Sequence, residues 1–460
     1  MTRRAVIEPG AFGPRAAILE EGRLLVCLEP PLPEGGISDR VFLARVVRVE
    51  PRMNAAFLDL GHGREAFLTA KDARLPGEGA TALPLARRMR EGEMVVVQGL
   101  REPDWDKRAR VTTDLRLFGL FLVYRPHAPQ SEASGRARGR LREELAERAR
   151  RLFPEGGFVL RRFAAGVDDA QLLAEAEELR RRHQRLVALA RSKRAPGPLD
   201  EADDPLDGVL RFVLEEGAEQ LVVADAALAS ALRGRLARLP PALQPTIEKL
   251  PDGRDAFAET GVHTQIEEAL SPLVPLPGGG RLVIEPTLAC VAIDVDGAGR
   301  PALELDLEAA EEIGRQLRLR NLGGSIVVDF IDLTRPADRR RLEEALKRAL
   351  RDDPAQAQVH PMSALGIVQI SRARRGEPLA ARWRRPCHCC GAPGREPSLE
   401  ARIEQLYREL RQRRPGCHRV RAGGELEQRL RALRLAWLEG HVVMADATLA
   451  GDAFVVEEAG

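Results

Sequence analysis

The rhythm of hydrophobic and polar positions changes several times along the chain. Near the N-terminus, short apolar pieces such as Arg23–Leu28 read as strands. Five stretches follow: Val41–Val49, Ala55–Leu60, Ala66–Leu68, Met94–Gly99 and Leu117–Val123. Turn residues separate them, which predicts a small β-barrel. Residues 138–192 are rich in Arg and Glu and predict helices, interrupted by a strand over Gly157–Arg161. Helix and strand alternate over 205–270, with Gln220–Val223 the clearest strand. Strong strands then flank long helices over 281–370, an α/β pattern. The tail after Ser398 predicts helices and a strand pair, His441–Asp446 and Ala453–Glu457. Stretches rich in Pro, Gly and Ser at 126–135, 195–198, 271–280 and 391–398 mark the joints.

Two strands carry acidic ends. In Ala289-Cys-Val-Ala-Ile-Asp-Val-Asp296, alternation puts Asp294 and Asp296 on one face and Val291, Ile293 and Val295 on the other. In Gly323-Gly-Ser-Ile-Val-Val-Asp-Phe-Ile-Asp332, Asp329 interrupts an apolar run of the kind buried on both faces. A carboxylate buried there is costly unless it is paired or bound to a cation. Carboxylates from neighbouring strand ends form the oxygen-rich site that Mg²⁺ prefers. Between the strands, Leu307, Ala310, Ile313 and Leu317 recur at helical spacing. Asp306 is the expected N-cap and Asn321–Gly324 the stop.

Composition narrows the class. The chain has 460 residues and 44% hydrophobic content, enough for about three domains with ordinary cores. No segment approaches the roughly 18 apolar residues of a membrane span, and the first residues lack the apolar core of a signal peptide. The expectation is a cytoplasmic protein without a membrane span. Net charge is +2, so attraction to nucleic acid has to come from local patches. Lysine occurs only at positions 71, 107, 193, 249 and 347, a bias that a GC-rich genome explains. Three of the six cysteines crowd Cys387-His-Cys-Cys390, which reads as metal-binding or redox-active in a reducing compartment.

Taken together, Ala292–Val295, the run Asp306–Asp332, Val41–Gly61 and Cys387–Cys390 closely resemble the bacterial ribonuclease E/G family. The likeness is nearer its G branch, since no long disordered scaffold tail is present. It implies an α/β multidomain fold: an RNase H-like subdomain (1–36 and 204–272) interrupted by an S1-like OB barrel (37–125). A 5′-sensor region (126–203), a DNase I-like catalytic subdomain (273–385), a zinc-link (386–397) and a small C-terminal α+β domain (398–460) complete it. It implies a Mg²⁺-dependent endoribonuclease of single-stranded RNA, acting in rRNA maturation or mRNA decay. Asp294 and Asp329 would hold Mg²⁺ with Asp296 assisting, and water attack would leave a 5′-phosphate and a 3′-hydroxyl. Cys387 and Cys390 would share a structural Zn²⁺ with a second subunit, giving a homodimer or tetramer. His388, Cys389, Cys417 and His418 are alternative ligands within one chain.

On the barrel, alternation turns Phe57 and Phe67 to the polar face, where exposed aromatics stack bases. The resemblance adds Lys107, Arg372 and Arg374 as RNA contacts. It also adds Arg161 and Arg162 as the grip on a 5′-phosphate.

Departures from the family pattern also stand in the sequence. Asp296 replaces an Asn, Arg162 a Thr, Gln369 a Glu and Ala373 a Gln. Asp294 and Asp306 are only 12 positions apart, so a Gly/Thr-rich loop is shortened. These departures frame an alternative, a non-catalytic RNA-binding protein on the same scaffold. A zinc-based redox protein is a weaker third reading, because the Cys-x-x-Cys lacks a βα context.

Overall fold

The computed structural model describes residues 2–30, 36–74, 83–101, 108–199, 204–251, 253–287, 289–297, 299–374, 376–390, 394 and 396–458. The chain divides into two compact units. One comprises Met1–Glu34, Glu216–Gly234 and Pro245–Gly460; the other comprises Gly35–Glu215 and Arg235–Gln244.

The second unit contains a closed barrel. Val41–Glu50, Ala55–Asp59, Glu65–Thr69, Ala109–Thr112 and Met94–Arg101 pair in that order, and Met94–Arg101 closes back onto Val41–Glu50. Alternation builds its interior from Ala56, Leu58, Leu60, Ala66 and Leu68. Gly99 is required here, because a Cβ would lie 1.8 Å from the Ile37 carbonyl oxygen. The expected strand Leu117–Val123 does not belong to the barrel. It breaks into Leu117–Phe118 and Leu122–Tyr124, which pair in a separate four-stranded sheet with Phe158–Leu160 and Glu132–Ala133. Helices Gly139–Leu152 and Asp169–Ser192 accompany that sheet.

The first unit carries a five-stranded sheet in the order Thr246–Lys249, Gln220–Val223, Arg3–Gly10, Gly13–Glu20, Arg23–Leu28. The first three are parallel and the last three antiparallel. A six-stranded sheet follows, ordered Leu273–Pro275, Arg281–Pro286, Val291–Asp296, Gly324–Asp329, Ile367–Arg372, Gln358–Val359. One face packs Ile284, Ile293, Ile326, Val328 and Ile370 against helices Ala302–Leu319 and Pro336–Ala349. A three-stranded sheet of His418–Ala422, Val442–Ala445 and Phe454–Glu458, with helices Leu399–Gln412 and Gly424–Leu433, forms the C-terminal part.

Two expectations about the acidic segment need correction. The helix starts at Ala302, not after Asp306. Asp306 therefore lies in its second turn, fully buried, and its Oδ1 accepts the Ile331 N–H at 3.2 Å. Pro301 precedes the helix instead, suited to a position where no N–H is needed. Strand Gly324–Asp329 is not buried on both faces. Ile326 and Val328 are buried, whereas Ser325 and Asp329 are exposed. The stop signal behaves as expected, with Asn321 at φ 50° and Gly324 at φ 100°. Among the described residues, no helix is long and apolar enough to cross a membrane.

Candidate active site and RNA-facing surfaces

Strands Val291–Asp296 and Gly324–Asp329 are parallel neighbours, and their register sets Asp294 directly opposite Asp329. Opposite residues of adjacent strands point to the same face, with backbones about 4.8 Å apart. Both aspartates therefore stand side by side on the sheet's open face, and both are exposed. Among the described residues neither side chain makes a hydrogen bond or ion pair. Two exposed, uncompensated carboxylates at this spacing suit a hydrated Mg²⁺, which keeps several waters and takes one or two protein carboxylates. Asp296 shares the face but is held by Arg281 at 2.8 Å. Gln369, opposite Val327, is exposed two positions along from the residue facing Asp329. Asp332 is exposed beyond the strand end, with its Oδ1 close to Gly366. Five residues, 297–301, join Asp296 to the helix.

The arginines at the end of strand Ile367–Arg372 and just beyond it have different surroundings. Arg372, expected to contact RNA, is buried: its guanidinium forks onto Asp353 at 2.6 and 2.9 Å and donates to the Leu322 carbonyl at 2.7 Å. Its donors are spent inside the fold, which corrects that expectation. Arg374 is half-buried, donates to the Gly323 carbonyl at 3.2 Å, and lies where a Cβ on Gly324 would meet its Nε at 2.9 Å.

On the barrel, Phe57 and Phe67 are direct cross-strand partners, with ring centroids 5.3 Å apart. Both are half-exposed. The guanidiniums of Arg48 and Arg108 lie 4.7 and 5.0 Å from the Phe57 ring centre, within the range of cation–π attraction. Neither arginine was singled out by alternation. Strand Val41–Glu50 shifts register between Val46 and Arg48, so period-two counting does not carry through to Arg48. Lys107 lies outside the described residues.

Arg161 and Arg162 follow strand Phe158–Leu160, which stops one residue short of the expected Arg161, and both are engaged. Arg161 is buried and paired with Glu215, which also holds Arg136 at 2.9 Å. Burial, reinforced by Arg211, lowers the Arg161 pKa to about 10. Arg162 donates to the carbonyl of Glu215 at 2.9 Å, at the end of helix Pro205–Glu216. Nearby, Glu175 accepts the backbone N–H groups of Leu120, Phe121 and Leu122. Burial raises its pKa, against the pull of those three donors. A terminal phosphate gripped by Arg161 would have to compete with the Glu215 carboxylate.

Cys387 is half-buried, and Cys389 and Cys390 are exposed. The Glu396 carboxylate raises the Cys387 thiol pKa and binds His388 Nδ1 at 2.9 Å. Among the described residues, these cysteines form no cluster of three metal-competent side chains.

The profile of the Ribonuclease E/G family matches residues 116–375. Ribonuclease G of Escherichia coli (strain K12) is 31% identical over 396 residues, covering 82% of this chain and 80% of that protein. Ribonuclease E of Escherichia coli (strain K12) is 31% identical over 373 residues, 77% of this chain and 35% of that protein. Ribonuclease E of Synechocystis sp. is 30% identical over 373 residues, 77% of this chain and 55% of that protein. The matched residues include both strands of the aspartate pair and the helix between them, and on this evidence the chain belongs to the ribonuclease E/G family.

Proposed function

We propose that this protein is a Mg²⁺-dependent endoribonuclease that cuts single-stranded RNA during RNA processing, in rRNA maturation or mRNA decay. The observation that carries the reading is the register-matched pair Asp294 and Asp329 on an open sheet face, in a chain of this family. Mg²⁺ held by the two carboxylates would supply a water of lowered pKa and neutralise charge on the phosphate. Attack of that water on phosphorus would break the bond to the 3′ oxygen, which would take up a proton, and would leave a 5′-phosphate and a 3′-hydroxyl. Asp296, tied to Arg281, limits how much extra negative charge meets the scissile phosphate. The Phe57–Phe67 pair would stack bases, with Arg48 and Arg108 contributing positive charge beside the rings. Arg374 would contact the RNA backbone. Arg161 and Arg162 would read a 5′ end only weakly, because both are already engaged. Cys387 and Cys390 would join a second subunit through Zn²⁺, in a homodimer or tetramer.

The five-residue connection after Asp296 favours one competing reading, an RNA-binding protein that does not cut. The deciding experiment incubates a 5′-monophosphorylated single-stranded oligonucleotide with the protein and Mg²⁺, beside an Asp329→Ala control. Cleavage that the variant lacks supports the nuclease. Tight binding without cleavage by the parent supports the competing reading.

A further inference from the structure

A second cluster of metal-competent side chains lies on the five-stranded sheet of the first unit, away from the Asp294 sheet. Glu8 is on strand Arg3–Gly10, Asp255 precedes helix Ala256–Glu259, and His263 is in the first turn of helix Val262–Ala269. His263 Nε2 lies 3.1 Å from each Asp255 oxygen and 4.0 Å from Glu8 Oε1. One donor atom from each residue falls within 4.8 Å of the others. The three side chains are largely buried, with exposure of 7% for Glu8, 16% for Asp255 and 20% for His263.

The three residues are held rigidly. Glu8 Oε2 accepts the Phe257 N–H at 3.2 Å and Oε1 accepts Arg15 Nη1 at 3.1 Å. Asp255 Oδ1 accepts the Ala258 N–H at 2.8 Å. The Phe257 ring meets the His263 imidazole edge-on. Carboxylates that ligate metals are commonly fixed by such outer hydrogen bonds.

Arg15 is 2% exposed and faces Glu8, Glu29 and Glu404, and Arg382 lies 3.9 Å from Glu29. Burial raises the Glu8 pKa to about 8, against the pull of Arg15, so a metal ion bound there displaces that proton.

We propose that Glu8, Asp255 and His263 form a Zn²⁺ site with water in the fourth position. Two carboxylates and one imidazole suit Zn²⁺ better than Mg²⁺, which favours oxygen ligands alone. Ligand legs of about 2.0–2.1 Å give tetrahedral edges of about 3.3 Å. The His263–Asp255 spacing already fits, and Glu8 has to close by roughly 0.7 Å. The ion ties the strand carrying Glu8 to both helices.

The test uses the full chain with all six cysteines replaced by Ala, stripped with chelator and kept in excess Mg²⁺. These conditions remove the thiols and fill the Asp294 sheet. Titration with Zn²⁺, read by calorimetry and melting temperature, should show one Zn²⁺ per chain and a higher melting temperature. Co²⁺ in its place should give visible ligand-field bands without thiolate charge transfer. His263→Gln and Asp255→Asn should each weaken binding at least about 10-fold. Asn keeps the acceptor for the Ala258 N–H and so preserves the helix start. Circular dichroism checks that each variant is folded. No Zn²⁺ uptake by the thiol-free parent, or equal uptake by a folded Asp255→Asn variant, overturns the site and leaves His263 hydrogen-bonded to Asp255 as a structural pair.

Discussion

Replacing Asp306 by Asn should make the protein more stable at alkaline pH. Asp306 is fully buried, with one oxygen on the Ile331 N–H and Oδ2 without a hydrogen-bond partner. Burial outweighs that single donor and raises its pKa from 3.8 to about 7. The folded chain thus holds this proton more tightly than the unfolded chain. Stability from this group is fullest below about pH 4, falls as pH rises to about 7, and is level beyond. At about 1.4 kcal/mol per pH unit, the ionised form costs at most about 4 kcal/mol. Of this, about 3 kcal/mol is lost between about pH 5 and about pH 9. Asn keeps the acceptor for Ile331 and removes the charge, although its new N–H donors recover less than the full amount. The net gain at about pH 9 should be about 1–3 kcal/mol. Urea unfolding of parent and variant across that range measures it, and the difference between the curves cancels every other titrating group. A variant whose advantage does not grow with pH would refute the claim that a buried carboxylate is forced to ionise there.

Further outcomes follow from the same geometry. Phe57→Ala or Phe67→Ala should each weaken binding of a single-stranded oligonucleotide by about 1–3 kcal/mol; the double variant should lose less than the sum, because the rings touch. Unchanged affinity in a fluorescence-anisotropy titration would remove the stacking assignment. Arg372→Leu should destabilise the fold by about 3–5 kcal/mol by stranding Asp353, and Asp353→Leu added to it should recover part of the loss in chemical denaturation. The parent should cut 5′-monophosphorylated and 5′-hydroxyl substrates at similar rates, whereas Glu215→Gln, which loosens the hold on Arg161, should favour the phosphorylated substrate. A strong preference already present in the parent would contradict the occupied state of that arginine.

Much of this architecture is legible in local pattern. Alternation over Val291–Asp296 correctly turned Asp294 and Asp296 away from Val291, Ile293 and Val295. The barrel interior followed from the same counting at Ala56, Leu58 and Leu60. Counting failed where tertiary contacts decide. Val327 is a half-buried apolar residue on an open face, so the run before Asp329 looked like a strand enclosed on both sides. Glu175 takes up the N–H groups of Leu120, Phe121 and Leu122, which splits a stretch that sequence alone reads as one strand. Arg372 and Arg374 are alike in sequence, but Arg372 finds a buried carboxylate 19 positions away, whereas Arg374 donates to the Gly323 carbonyl. The Glu8, Asp255 and His263 grouping had no signal at all, since Glu8 lies far along the chain from the other two, with the second unit between them.

The segment that returns after helix Asp169–Ser192 has one more implication. Gly197 and Pro198 pair antiparallel with Leu43 and Phe42, and the Leu199 N–H bonds the Val41 carbonyl at 2.8 Å. Gly61, at φ 87°, makes room, since a Cβ there would sit 2.6 Å from the Pro196 carbonyl oxygen. The start of the barrel and the return from that long helix are thus pinned side by side within the second unit, so the sheet and helices between them form a closed excursion of the chain.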